Sequence, residues 1–95
     1  MNAKLRIANT ISELQLHKAS LCCGKVKDIL VSLGFEVSDG NKGGHKVFTH
    51  QGLPSFHSGG YNCGHGKNPE IKPTYIGNII RILKRYQDEL EQYLE

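Results

Sequence analysis

The strongest constraint on the fold is an apolar stripe at helical spacing in the last part of the chain, which needs a surface to pack against. Pro73 has the position of a first-turn proline. The apolar residues that follow at three- and four-residue steps are Ile76, Ile79, Ile80, Leu83, Leu90 and Leu94. This pattern predicts one helix from Pro73 to near the C-terminus. Because 95 residues bury one modest core, the stripe must pack on the elements that precede it.

Two earlier segments also have helical periodicity. Residues 3–16 form an amphipathic pattern, and a second pattern begins after Ser20, a plausible N-cap. Its apolar face consists of Cys22 or Cys23, Val26, Ile29, Leu30 and Leu33. We expect Gly34 to end this helix as a left-handed C-cap residue, with Phe35 folding back on Leu30.

The middle of the chain predicts short strands. Residues 35–38 and 45–50 are expected as the first two, and residues 55–57 as a weaker third, followed by a wide loop or irregular strand over 58–69. A parallel sheet would need crossovers for which the chain has no room. The predicted fold is therefore α+β, with a three-stranded antiparallel sheet and helices on one face (α-β-β-β-α). Residues 1–19 are expected to be a helical extension of a domain formed by residues 20–95.

Charge is distributed unevenly along the chain. Residues 40–72 contain four lysines against one glutamate and four of the five histidines, whereas the last ten residues contain four acids and no lysine or arginine. A basic middle favours a polyanion partner, and RNA is the obvious one. The alternative is a loop solvated by its lysines.

The three cysteines do not predict a disulfide framework, because their number is odd and Cys22 and Cys23 are adjacent. We expect both as small helical residues, at least one of them buried. His57, Cys63 and His65 are possible zinc ligands, but a second ligand pair is missing unless another histidine joins them. We therefore expect no metal and no cofactor. No membrane-length apolar run and no signal-peptide pattern is present, so a cytoplasmic protein without membrane contact is expected.

The segment around His45 is the candidate chemical site. Gly43 and Gly44 precede this histidine, and Lys42 and Lys46 flank it. Glycines allow close approach of another chain, and histidine titrates near neutral pH. This pattern suits proton transfer beside a phosphate, although a surface hairpin with an incidental histidine is an alternative. We expect His17 and His50 to be ordinary surface residues.

The order of short motifs resembles the HicA family of toxins from bacterial toxin-antitoxin pairs. The matching motifs span about residues 24–85 and are Leu33-Gly34-Phe35, Gly43-Gly44-His45, Cys63-Gly64-His65 and Ile71-Lys72-Pro73. The chain departs from the family where Gly44 replaces a serine and Cys63 replaces a proline. The resemblance implies a fold like that of double-stranded-RNA-binding domains, endoribonuclease activity on mRNA with His45 as the catalytic residue, and inhibition by a HicB-like antitoxin.

The expected function is that of a metal-independent mRNA interferase that inhibits translation and growth. Cleavage would use the RNA 2′-hydroxyl as nucleophile, with His45 as general base or acid and His65 or His57 as candidates for the second proton transfer. The residues expected to bind RNA are Lys42, Gly44, Lys46, His65, Lys67 and Lys72. Expected partners are mRNA and the antitoxin, in a homodimer or a hetero-oligomer. The alternatives are a non-catalytic RNA-binding module and a protein-interaction subunit whose helices are its interface.

Overall fold

The computed structural model describes residues 2–95, and these form four helices and one three-stranded sheet. The elements are α1 (Ala3–Leu16), α2 (Cys23–Ser32), β1 (Glu36–Asp39), β2 (His45–Thr49), β3 (Gly59–Asn62), α3 (Pro73–Arg85) and α4 (Gln87–Leu94). The sheet is antiparallel in the order β1-β2-β3. The predicted α+β class and three-stranded antiparallel sheet are confirmed. No helix in this part of the chain is long and apolar enough to cross a membrane.

Local signals place the end of α2 and the start of α3 where the sequence predicts them. Gly34 has a φ of +94°, and the Phe35 N–H donates to the Leu30 carbonyl at 3.1 Å. This 6→1 hydrogen bond closes a Schellman motif and brings Phe35 into the core. Pro73 is the first residue of α3, where its missing N–H costs no hydrogen bond.

Two helix predictions are wrong. The N-cap of α2 is Cys22 rather than Ser20. The predicted C-terminal helix is divided at Tyr86, which has φ −104° and ψ 19° and separates α3 from α4. The Tyr86 ring packs on Phe56 with a centroid distance of 5.5 Å, and its hydroxyl donates to the Ser55 carbonyl at 3.2 Å. These are tertiary contacts with residues about 30 positions earlier in the chain, so helical periodicity does not predict them.

The third strand lies later than predicted, at Gly59–Asn62 instead of residues 55–57. Gly59 is paired with Phe48 in the sheet, and a Cβ atom at Gly59 would lie only 2.3 Å from the Phe48 ring. The glycine therefore admits an aromatic ring that any side chain would displace. Glycines that favour a loop in the sequence are packing positions in this strand.

One face of the sheet is buried and carries the core. Phe48 and Tyr61 point to this face and are fully buried. Helix α1 packs against α3 and α4, and the three α1 residues that join the same core are Ile7, Ile11 and Leu14. The residues on either side of the predicted boundary at residue 19 thus share one core.

A disulfide joins Cys23 to Cys63, with a Cα–Cα distance of 5.4 Å, so the expectation of no disulfide is wrong. The bond connects the first residue of α2 to the residue after β3. Cys22 is the free cysteine, and both Cys22 and Cys23 are half-buried. Cys23 and Cys63 are 40 residues apart in sequence, so local spacing does not indicate that they pair. The fold brings the start of α2 and the end of β3 together.

His50 is buried at 6% exposure, contrary to the prediction of a surface residue. Its Nδ1 accepts the Gly52 N–H at 3.0 Å, so its Nε2 carries the proton and donates to the Leu33 carbonyl at 2.9 Å. The ring also packs edge-on against Phe35 and Tyr93. His50 therefore joins the end of β2 to the C-cap of α2 and to α4, and its role is structural.

Candidate functional site

The sheet face opposite the core presents the predicted histidine. His45 opens β2 and is paired with Gly40 on one side and with Asn62 on the other. Val47 follows on the same face, paired with Ser38 and Gly60. His45, Val47 and Asn62 are half-buried, whereas Phe48 on the other face is fully buried. The structure thus leaves the imidazole accessible.

Two glycines make room for the His45 ring. A Cβ atom at Gly40 would lie 2.3 Å from its Nδ1, and one at Gly60 would lie 3.0 Å from its Nε2. Neither glycine has a positive φ, so the backbone conformation does not require a glycine at either position. Both positions require a glycine because a side chain there would occupy the space of the His45 ring. The imidazole spans the sheet between β1 and β3 and is held by regular structure rather than by a flexible loop.

Both the backbone conformation at residue 44 and the lack of room for a side chain require a glycine there. Its φ is +80°, and a Cβ atom there would lie 2.6 Å from the Gly64 carbonyl oxygen. The Gly44 carbonyl also accepts the Cys63 N–H at 2.7 Å, which extends the β2–β3 ladder past His45. A serine at this position would collide with the Gly64 backbone.

Asn62 is a candidate that the sequence did not identify. It lies directly across from His45, and its side-chain oxygen accepts the Gly64 N–H at 2.6 Å. With the oxygen engaged, the amide NH₂ is the group that remains to donate to a ligand. Only the strand register reveals this residue, because the sequence predicts residues 58–69 as a wide loop or an irregular strand and assigns them no pairing partner.

The two lysines that flank His45 in sequence lie in different places. Lys46 points to the opposite face, where its ammonium bonds the Asp39 carboxylate and holds the pKa of Asp39 below its ordinary value. Lys42 is exposed in the β1–β2 turn and, with His45, Ser38 and others, lines a cavity of about 470 Å³. Of the two, Lys42 is therefore the cation on the His45 side.

The remaining predicted residues follow β3. His65 and Lys67 are exposed in the loop between Cys63 and α3, beside two glycines with positive φ, Gly64 and Gly66. Lys72 lines a cavity of about 260 Å³ together with Asn62, Gly64 and Tyr75, among others. Lys72 therefore shares a cavity with Asn62, which is the partner of His45 in the sheet.

His57 is exposed in the segment that precedes β3, and Cys63 is bonded to Cys23. The disulfide removes the Cys63 thiolate from the possible zinc set of His57, Cys63 and His65. Among residues 2–95, no group of three or more His, Cys, Asp or Glu side chains could hold a metal ion.

Helix α3 contributes a basic groove that the sequence analysis did not include. Gly60 on β3 and four α3 residues, Asn78, Arg81, Ile82 and Arg85, line a cavity of about 420 Å³. Arg81 and Arg85 lie outside the basic segment of residues 40–72. Only the packing of α3 on β3 brings them beside Gly60, at the β3 edge of the sheet.

Comparison with protein-family models, curated proteins and solved structures returns no match for this chain. The fold and the site define a small α+β protein with an accessible histidine on its open sheet face, bordered by a lysine and an amide, and with a groove at the β3 edge that contains two arginines.

Proposed function

We propose that this chain is an endoribonuclease of the HicA type, the toxin of a type II toxin-antitoxin pair. It cleaves mRNA, inhibits translation and growth, and is neutralised by a HicB-like antitoxin. The observation that supports this most is the setting of His45, whose ring lies half-exposed between two glycines on the open face with Lys42 lining the same cavity. The three-stranded sheet with helices on one face agrees with a fold like that of double-stranded-RNA-binding domains.

Cleavage proceeds by attack of the RNA 2′-hydroxyl on the adjacent phosphorus. The 2′-oxygen forms a bond to phosphorus, the bond to the 5′-oxygen breaks, and the products are a 2′,3′-cyclic phosphate and a 5′-hydroxyl. One proton leaves the 2′-oxygen and one reaches the 5′-oxygen, and His45 carries one of these transfers as general base or general acid. His65 is the candidate for the other, since its loop begins directly after Asn62.

Charge that develops on the phosphorane needs donors beside the histidine. Lys42 supplies a cation from the β1–β2 turn, and the Asn62 NH₂ supplies neutral donors from the paired strand. Donors that meet the charge developing on the phosphorane stabilise the transition state more than the ground state. Lys46 is left out of this role, since its ammonium is bonded to Asp39 on the other face.

Action on mRNA places the protein in the cytoplasm, where thiol systems keep most cysteines reduced. The Cys23–Cys63 bond would be open there, so the fold must persist without it.

The direct test is cleavage of a generic mRNA by purified wild-type, His45→Ala and His17→Ala proteins. His17 is an exposed histidine at the C-cap of α1 and serves as the matched control. We expect His45→Ala to lower the cleavage rate by about 10²-fold or more, and His17→Ala to cleave like wild type with the same cyclic-phosphate ends. Because the ring is half-exposed, the unfolding midpoint of His45→Ala should change little.

Wild-type cleavage by a correctly folded His45→Ala protein would remove His45 from the mechanism. A wild-type protein that binds RNA without cutting it would instead support the non-catalytic RNA-binding module. That alternative is favoured by one observation, the basic groove on α3, which requires no chemistry.

A further inference from the structure

We propose that the groove between β3 and α3 binds the phosphate backbone of the RNA strand as it leaves His45, with Arg81 and Arg85 as the phosphate ligands. This inference rests on the proposed function for the identity of the RNA. The groove itself is a separate feature of the surface, because its arginines lie within α3, whereas the predicted RNA-binding residues precede this helix and the last of them, Lys72, is its N-cap.

Neither Arg81 nor Arg85 forms an ion pair with an acidic side chain of residues 2–95, so their positive charges are not neutralised. The Arg81 guanidinium donates to the Asn78 side chain, and the Arg85 guanidinium lies 5.6 Å from the Tyr86 ring centroid. Among residues 2–95 the ion pairs are Lys25–Glu13 and Lys46–Asp39, and neither involves these arginines. Two unpaired guanidinium groups on one groove wall attract an anionic ligand, and arginine matches phosphate geometry with paired N–H donors.

The spacing of the arginines fits a repeating anion. Arg81 and Arg85 are four residues apart on α3, so they lie on the same face and about 6 Å apart along the axis. Successive phosphates of a nucleic-acid strand are separated by a comparable distance. Ile82 supplies an apolar wall between them, on which a ribose can pack. The groove therefore favours a phosphodiester backbone.

Gly60 connects the groove to the candidate catalytic residue. The same glycine lines the groove and lies under the His45 ring, where its Cβ atom would be 3.0 Å from Nε2. No side chain at this position separates the imidazole from the groove. β3 is the edge strand of the sheet, and α3 packs on the face opposite His45. A strand whose scissile phosphate meets His45 can therefore continue over Gly60 and around the β3 edge into contact with α3.

The test uses the His45→Ala protein, so that bound RNA is not cut. In this background, Arg81→Gln/Arg85→Gln is compared with Lys4→Gln/Lys84→Gln, which removes the same charge at exposed positions. Lys84 lies on the same helix, and neither lysine lines the groove. Affinity for a short single-stranded RNA of uniform sequence is measured at several KCl concentrations, and circular dichroism verifies folding.

We expect the groove variant to lose two phosphate contacts. The slope of log K against log salt should become shallower by about 1.4, since each contact to a single strand contributes about 0.7. The affinity at low salt should fall by about tenfold or more, and the lysine control should change far less. With His45 intact, the groove variant should show a raised KM and a retained kcat, which a change in the chemistry of His45 would not produce.

Equal effects of the arginine and lysine substitutions would overturn this inference while leaving the nuclease proposal in place. Groove-dependent binding by a wild-type protein that never cleaves would overturn the nuclease proposal and support the groove. Absence of RNA binding even at low salt would contradict both.

Discussion

Loss of the Cys23–Cys63 bond should destabilise the protein by an amount that follows from the fold. The bond closes a loop whose ends are 40 residues apart in sequence. In the chain-entropy treatment, a loop of this length removes about 13 cal/mol/K from the unfolded ensemble, or about 4 kcal/mol at 25 °C. Domains of this size are stable by about 5–15 kcal/mol. We therefore expect the reduced protein to fold, but with only a modest margin.

The assay is urea unfolding of four samples. These are the oxidised protein, the same protein with dithiothreitol, Cys23→Ala and Cys22→Ala. Cys22→Ala is the matched control because Cys22 is free and its side chain makes no capping hydrogen bond. Reductant should lower the free energy of unfolding of wild type and of Cys22→Ala by about 4 kcal/mol, and should leave Cys23→Ala unchanged.

Thiol titration of the native oxidised protein supplies an independent reading. One reactive cysteine per chain is expected, Cys22. Three titrating thiols, or identical urea midpoints with and without reductant, would refute the reasoning. A loss well below 4 kcal/mol with one titrating thiol would show that the unfolded chain already keeps these ends close.

Two further predictions concern single positions. Gly40→Ala should displace the His45 ring and lower kcat by about tenfold or more while changing KM little. Gly43→Ala is the control, because nothing lies within 4 Å of the added Cβ atom. Equal rates for the two variants would show that Gly40 does not position the ring. Burial raises the pKa of Tyr61 to about 12 from 10.0, so the folded state keeps a proton that the unfolded chain loses, and stability should fall as the pH rises from about 10 to 12. The Tyr61 hydroxyl has no hydrogen-bond partner among residues 2–95, so the stability of Tyr61→Phe at pH 7 should equal that of wild type or exceed it by about 1 kcal/mol. Above pH 10, this difference in the free energy of unfolding, measured by urea unfolding, should increase. A clear loss of stability at pH 7 would reveal a hydrogen bond to this hydroxyl.

Several features of the fold were predictable because their signals are local. The Schellman glycine at Gly34 and the first-turn proline at Pro73 act within a few residues of themselves. Alternation of polar and apolar residues likewise predicted β1, and residues 45–50 were predicted as the second strand, which begins at His45 as observed. These features depend on backbone conformation and on short-range spacing, which the sequence states directly.

The third strand shows why other features were not predictable. Gly59 and Gly60 follow one another in β3, and each admits a ring on one face of the sheet, Phe48 on the buried face and His45 on the open face. As a sequence, two successive glycines favour a loop. As partners of β2, they are positions where a side chain would collide with an aromatic or imidazole ring.

The sequence by itself determined the helical stripes and the turn glycines and indicated His45 as the candidate catalytic residue, because period and backbone preference are properties of neighbouring residues. Only the tertiary structure decided which residues surround that histidine. It placed Lys46 on the opposite face, Asn62 across the strand, and the α3 arginines beside Gly60. Register and helix docking bring together residues far apart in the chain, and pairings at that range are fixed by packing of the whole core.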